Sequence, residues 1–344
     1  MFRVAVNGVS LAVNEWPGPL KSGKNAASLR SGSFPDALAS ARFALSPGSL
    51  GSPSAAPRPA TAAARRTSLR SGSFPDPLAS PAAAARRTIV CIHGLTANHT
   101  CWASVAEALT PAHRLIAYDL RGRGDSDKPE KGYSLEAHGE DLGRLLDHYG
   151  LKKAVIMGHS LGAKIALRFA VTRPERVSRL VLFDGGMDIR PEMWDSIAPA
   201  VSRLGIEFPS LDMFLELVRR LPMFEGRWND YLERYFRYDV ETLPSGAVRS
   251  KAARHAIEEE VTNLQRERLW VWHHQVKCPT LIFRAPDGLL TTTDCLMTRE
   301  EGAAMARAIP RSKLVVVPHT NHYTVLLGQH PKVKGALHAF LKGR

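Results

Sequence analysis

The sequence predicts an α/β protein with a mostly parallel sheet, and three observations carry that prediction. Short apolar runs at 88–92, 114–119, 154–158, 177–183, 279–285 and 313–317 alternate with stretches of helical period, the pattern of repeated strand–helix–strand units. That rhythm stops over 187–277, where the chain reads as helical with proline interruptions, and then resumes, as expected of a helical subdomain inserted over the sheet. A hairpin opens the chain: Phe2–Val6 and Val9–Val13 alternate in period two around Asn7-Gly8. A type I′ turn needs positive φ at both central residues, and Asn-Gly supplies it.

From about Pro17 the pattern dissolves into Ala, Ser, Pro, Gly and Arg, and this lasts to Arg87. The stretch Ser28–Ser40 returns as Ser68–Ser80 with one difference, Ala37 against Pro77. Two copies are too few for a stacked repeat. So few large apolar side chains cannot offset the entropy of ordering the backbone, which predicts a disordered insertion over 17–86. Order resumes at Thr88–Ile92, a buried strand followed by His93-Gly94-Leu95, then an amphipathic stretch around Trp102–Leu109 and a strand ending at Asp119. After the glycine-rich turn 120–126 comes a helix over Ser134–Tyr149, with Leu135, His138, Leu142, Leu145 and Leu146 facing inward. Toward the C-terminus, a helix is expected over Arg299–Ala308 and a closing helix over Val325–Leu341.

Composition bounds the function. With 344 residues and 44% hydrophobic content the chain can bury a sizeable core. A net charge of +13 invites a nucleic-acid partner, but +8 of it lies in residues 20–87, so the basicity says little about the folded body. No apolar run approaches the roughly 18 residues of a membrane span. The N-terminus lacks the apolar region of a secretory signal. Four sparse cysteines without a Cys-x-x-Cys pair point to free thiols and a cytoplasmic setting. The expected partner is therefore a small-molecule substrate, with no nucleic acid and no membrane.

The chemistry centres on residues 154–167. A buried strand ends at Gly158, and from Leu161 onward Leu161, Ile165, Ala166 and Phe169 share a helical face. Between them lies Gly158-His159-Ser160-Leu161-Gly162, a Gly-x-Ser-x-Gly match. Such a turn forces the serine into a strained conformation and exposes its hydroxyl at the C-terminal end of the strand. The glycines are needed because side chains there would strike the neighbouring strand and helix. The helix starts at the serine, so its free N–H groups favour negative charge developing there. Ser160 is the candidate nucleophile.

Together with His93-Gly94, the turn Asp119-Leu120-Arg121-Gly122-Arg123-Gly124-Asp125-Ser126 and Asn321-His322-Tyr323 before the last helix, this motif resembles the α/β-hydrolases of the esterase/lipase superfamily. The resemblance covers 1–16 and 87–344. It implies a hydrolase core of 1–16, 87–186 and 278–344 with a helical cap over 187–277. It also implies a Ser-His-Asp triad that needs no cofactor and no metal. The family's chain order runs serine, acid, histidine, which places the base at His322, ahead of His319, and leaves His93 structural. The acid falls on Asp287, after the strand ending at Ala285, although Ala285-Pro286-Asp287-Gly288 departs from the family's usual Gly-x-x-Asp. Asp184, after the preceding strand, and Asp294 are the alternatives. The oxyanion donors implied are the backbone N–H groups of Leu95 and Leu161. The implied activity is carboxylester hydrolysis of small to medium apolar esters. Carbon–carbon bond hydrolysis, cofactor-free haloperoxidase chemistry and a non-catalytic ligand-binding role on the same scaffold are the rivals. Epoxide hydrolases and haloalkane dehalogenases need a carboxylate where Ser160 stands.

Smaller signals absorb into this reading. Arg123-Gly124-Asp125 belongs to the turn after a strand, and Asn98-His99-Thr100 is a glycosylation sequon without a secretory context. His273-His274 reads as a solvated pair. The aromatics of 187–277 serve either an acyl pocket or internal packing.

Overall fold

The computed structural model describes residues 1–16, 86–291 and 293–343. The expected disordered insertion falls almost wholly on 17–85, outside the described residues. Two strands open the chain, β1 (Phe2–Val6) and β2 (Val9–Trp16), paired so that Val6 faces Val9. Asn7 and Gly8 take φ of 41° and 75°, the turn the dipeptide predicts. Next come β3 (Thr88–Ile92), α1 (Ala103–Leu109), β4 (Arg114–Tyr118), α2 (Leu135–His148), β5 (Ala154–His159), α3 (Leu161–Thr172) and β6 (Val177–Phe183). Ser134 caps α2 by accepting from the Ala137 N–H, and the five residues expected to face inward are all buried.

The segment after β6 holds α4 (Met193–Ser202), β7 (Glu207–Phe208), α5 (Leu211–Arg219), α6 (Asp230–Asp239), β8 (Val240–Thr242), β9 (Val248–Ser250) and α7 (Arg254–Leu264). It is helical, as expected, but it also folds a small antiparallel sheet in the order β7-β9-β8. Strands of two or three residues are too short to show a period. The chain closes with β10 (Thr280–Arg284), α8 (Arg299–Ala308), β11 (Ser312–Val316) and α9 (Pro331–Lys342). The closing helix starts later than its apolar period suggests. Pro331 stands at its first position and the His330 side chain caps it, whereas 321–330 is a turn-rich loop.

The large sheet runs β1-β2-β4-β3-β5-β6-β10-β11, with β3 to β6, β10 and β11 mutually parallel and β2 antiparallel to both its neighbours, β1 and β4. Successive strand residues face opposite layers, as pleating requires. Val90 and Ile92 pack with Leu142 and Phe169 from α2 and α3, while Ile89 and Cys91 pack with Val105 and Leu337 from α1 and α9. Helices thus cover both faces, which a parallel sheet needs. All four cysteines are buried and unpaired, and no helix among the described residues is long and apolar enough to cross a membrane.

Candidate active site

The site lies at the C-terminal ends of the central parallel strands. β5 hands over to α3 through Ser160, whose φ of 55° and ψ of −115° lie in a region that non-glycine residues rarely adopt. The flanking glycines permit that turn. A Cβ on Gly158 would sit 2.1 Å from the Gly162 carbonyl oxygen, and one on Gly162 would sit 2.1 Å from that of Ile92. Beyond the turn, Gly185 after β6 lets the Ser160 backbone approach, since a Cβ there would lie 2.6 Å from the Ser160 carbonyl oxygen. The serine therefore stands in a slot closed on two sides by backbone.

His322 sits on the loop after β11 and lines the same pocket as Ser160. Asn321 shapes that loop: its Oδ1 accepts from the N–H groups of Tyr323 and Thr324, and its Nδ2 donates to the Met223 carbonyl at 2.6 Å. His319, the competing histidine, is exposed. The His322 ring meets a carboxylate, and it belongs to Asp184: Nδ1 and Oδ2 are 2.8 Å apart, with the aspartate wholly buried. The other oxygen, Oδ1, accepts from the Ala285 N–H at 3.0 Å, so a backbone donor holds the carboxylate in plane with its task. Asp184 reaches this place by taking φ of 43° directly after β6.

The assignment of Asp287 is thereby corrected. Its carboxylate pairs with Arg227 at 2.8 Å, about a third exposed, and its N–H donates to the Thr320 carbonyl. The reason lies in sheet register. β6 and β10 are neighbours with Phe183 opposite Phe283, so Asp184 follows the end of β6 at once, whereas Asp287 comes three residues after the end of β10 and its carboxylate goes to Arg227. Asp294 is occupied elsewhere, accepting from the Leu289, Leu290 and Thr291 N–H groups and from Ser196.

Leu95 and Leu161 both line the pocket. Leu161 is the first residue of α3, so its N–H has no carbonyl partner within the helix. The Gly94 carbonyl accepts from His93 Nδ1 at 2.8 Å and from the Ala97 N–H. Because a trans peptide points its C=O and N–H in opposite directions, this also fixes the direction of the Leu95 N–H. His93 Nε2 accepts from the Leu120 N–H at 2.9 Å, which leaves the proton on Nδ1. Burial pushes the His93 pKa down to about 4, so the ring stays neutral in its structural place.

Three contributors were not legible as such in the sequence. The His159 Nε2–H donates to the His322 carbonyl at 2.8 Å and its ring lies 4.4 Å from the His322 ring, which helps hold that loop in place. Burial, and then the nearby His322, holds the His159 pKa well below the ordinary value. Arg123 is wholly buried, donating to Glu260 of α7 at 2.6 Å and to the Leu95 carbonyl at 3.0 Å, so the turn after β4 ties the Leu95 loop to α7. Lys164, on the inward side of α3, also lines the pocket. Elsewhere, His273 and His274 do point apart, but His273 is buried with Nε2 on the Gly186 carbonyl, so only His274 is solvated. The aromatics of the inserted segment mainly pack on one another: Phe214, Phe224, Trp228 and Phe236 form one cluster, while Tyr235 reaches the pocket wall.

Known proteins share this architecture. A protein named 2-(acetamidomethylene)succinate hydrolase from Mesorhizobium japonicum is 27% identical over 237 residues, covering 67% of this chain and 80% of that protein. A crystal structure of E-2-(acetamidomethylene)succinate hydrolase superposes with a TM-score of 0.67 at 24% identity, over 75% of this chain and 92% of the other, which speaks for the fold. A thermophilic esterase from Thermogutta terrifontis, solved with malate bound, gives a TM-score of 0.59 at 25% identity over 74% and 89% of the two chains. The family model described as alpha/beta hydrolase fold matches residues 87–329, the stretch that holds Ser160, Asp184 and His322 together. By that match and by its sheet order, the chain belongs to the alpha/beta hydrolase fold family.

Proposed function

We propose that the protein is a serine hydrolase of carboxylic esters working through Ser160, His322 and Asp184. One observation carries the reading: a single pocket is lined by a strained serine that opens a helix and by a histidine whose Nδ1 lies 2.8 Å from a buried carboxylate. Asp184 accepts from Nδ1–H, which leaves Nε2 unprotonated and free to take the Ser160 proton. Ser160 Oγ then attacks the acyl carbon, and the carbonyl oxygen gains charge opposite the Leu95 and Leu161 N–H groups. Two such preorganised donors supply several kcal/mol, at roughly 3 kcal/mol each. As the tetrahedral adduct collapses, His322 returns the proton to the departing alkoxide. Water, deprotonated by the same nitrogen, releases the acid from the acyl-enzyme and restores the Ser160 hydroxyl.

The acyl side is bounded largely by aliphatic side chains, among them Leu161, Ile189, Met193, Ile197 and Leu264, which supports small to medium acyl groups. The segment 187–277 supplies several of them and serves as a cap. Free, buried thiols support a reducing compartment. A second reading, with the same triad opening a bond other than an oxygen ester, is favoured by the name of the 27% identical Mesorhizobium japonicum relative. Initial rates on ethyl esters of increasing acyl length test the first reading. Turnover that Ser160→Ala removes supports it, and no turnover of any ester overturns it.

A further inference from the structure

Lys164 follows Ser160 by one turn of α3, so the two share a helix face at an axial separation of about 6 Å. It is only 5% exposed and borders the pocket, where its fellow lining residues include Leu161, Met187, Ile189 and Leu264. A charged amine in such a setting loses several kcal/mol of hydration unless other groups replace water. The replacement in place is partial. Nζ donates to the Met187 carbonyl, and no ion pair joins it to a carboxylate among the described residues. An ammonium has three N–H donors, so two remain to be directed elsewhere. Asp188 lines the same pocket without a salt bridge to Lys164, its Oδ1 accepting from the Leu269 N–H at 2.6 Å.

We propose that Lys164 is a specificity-determining residue that anchors a carboxylate on the acyl portion of the substrate, so that the preferred esters are half-esters of short dicarboxylic acids. The inference rests on the ester-hydrolase reading for its substrate class, while the cation itself stands on the geometry alone. A substrate chain of a few carbons would carry a carboxylate away from the scissile carbonyl within the pocket that Ser160, Lys164 and the aliphatic side chains line together. Burial lowers the Lys164 pKa to about 8, against the raising influence of the Asp188 and Glu301 carboxylates, so the amine is mainly protonated at neutral pH. His273, which also feels this cation, has its own pKa lowered by burial and is neutral there.

The test uses monoethyl glutarate and its uncharged counterpart ethyl pentanoate. With the wild-type enzyme the half-ester should show the higher kcat/KM, and Lys164→Met should lower the charged-to-neutral ratio at least tenfold. An unchanged ratio overturns the proposal, since a purely structural lysine would affect both esters alike. Calorimetry on the Ser160→Ala protein, where nothing turns over, separates the two claims. If neither ester is hydrolysed by wild type but the half-ester binds this protein and Lys164→Met in the same background weakens it tenfold, the ester reading fails and the anion site stands. Should Lys164→Met not fold, the pH dependence decides. Half-ester binding to the Ser160→Ala protein should weaken about tenfold per pH unit above pH 8, as the amine loses its proton, with ethyl pentanoate unaffected. His273, its pKa lowered by burial, is neutral throughout that range, so a flat profile to pH 9.5 overturns the proposal.

Discussion

Replacing Asp184 by Asn changes one atom and should nearly abolish turnover. In the native site Oδ1 takes the Ala285 N–H at 3.0 Å and Oδ2 takes the His322 Nδ1–H at 2.8 Å. The Ala285 N–H is a donor, so the asparagine must present its oxygen there and its NH₂ group to the histidine. Two donors cannot share one contact. The imidazole then carries its proton on Nε2 and can no longer accept from Ser160. In a serine protease the equivalent change costs about 10⁴ in kcat, which corresponds to roughly 5.5 kcal/mol of transition-state stabilisation. The effect should appear in kcat with little change in KM, because substrate contacts are untouched. Asp287→Asn removes only a partly exposed pair with Arg227, worth about 0.5 kcal/mol in stability, and should stay within a fewfold of wild type. Steady-state rates of both purified variants on one ester suffice. An Asp184→Asn enzyme within tenfold of wild type, or a larger loss in Asp287→Asn, would refute the reasoning.

Two further expectations concern stability. His93, buried and neutral with its pKa lowered to about 4 by burial, binds its proton more weakly folded than unfolded. Its contribution is therefore complete above about pH 6.5 and is lost as pH falls from 6.5 to 4, on the order of 3 kcal/mol in all. Urea midpoints across that window should fall more steeply for wild type than for His93→Gln, and equal slopes would disprove the assignment. The second expectation is that deleting 21–86 leaves a folded, active protein. Trp16 pairs with Leu115 on one side of β4 and Thr88 with Arg114 on the other, so the two ends lie about 10 Å apart, two strand spacings. Residues 17–20 can span roughly 13 Å. Insoluble protein, or loss of ester turnover at unchanged purity, would show that the deleted residues are part of the fold.

The elements that position Ser160 were legible because their signals are local. Asn7-Gly8, the Gly-x-Ser-x-Gly turn and the Ser134 cap each impose their geometry within a few residues, and all three form as expected. His322 was legible as a loop histidine before the last helix, although that helix begins later than its apolar period suggests. The carboxylate partner of His322 was not legible in the same way. Asp184 and Asp287 both follow strands of the parallel sheet, and the choice depends on a left-handed residue after β6 and on an N–H contributed by Ala285, more than a hundred residues away in sequence. Lys164 was hidden for another reason. Helical period marks a lysine as solvent-facing, and only the loop after β6 folding over α3 reveals that it is enclosed. Arg123 was likewise masked, since its partner Glu260 lies in a segment with no sequence relation to the turn.

The claim on which everything else depends is that Ser160 is a nucleophile activated by His322. A fluorophosphonate probe followed by peptide mass spectrometry tests it without any knowledge of the natural substrate. The account predicts a single stoichiometric adduct on the peptide carrying Ser160, absent in Ser160→Ala and formed at least a hundredfold more slowly in His322→Ala. No adduct on the folded wild-type protein, or an adduct on a different serine that persists in Ser160→Ala, would contradict it.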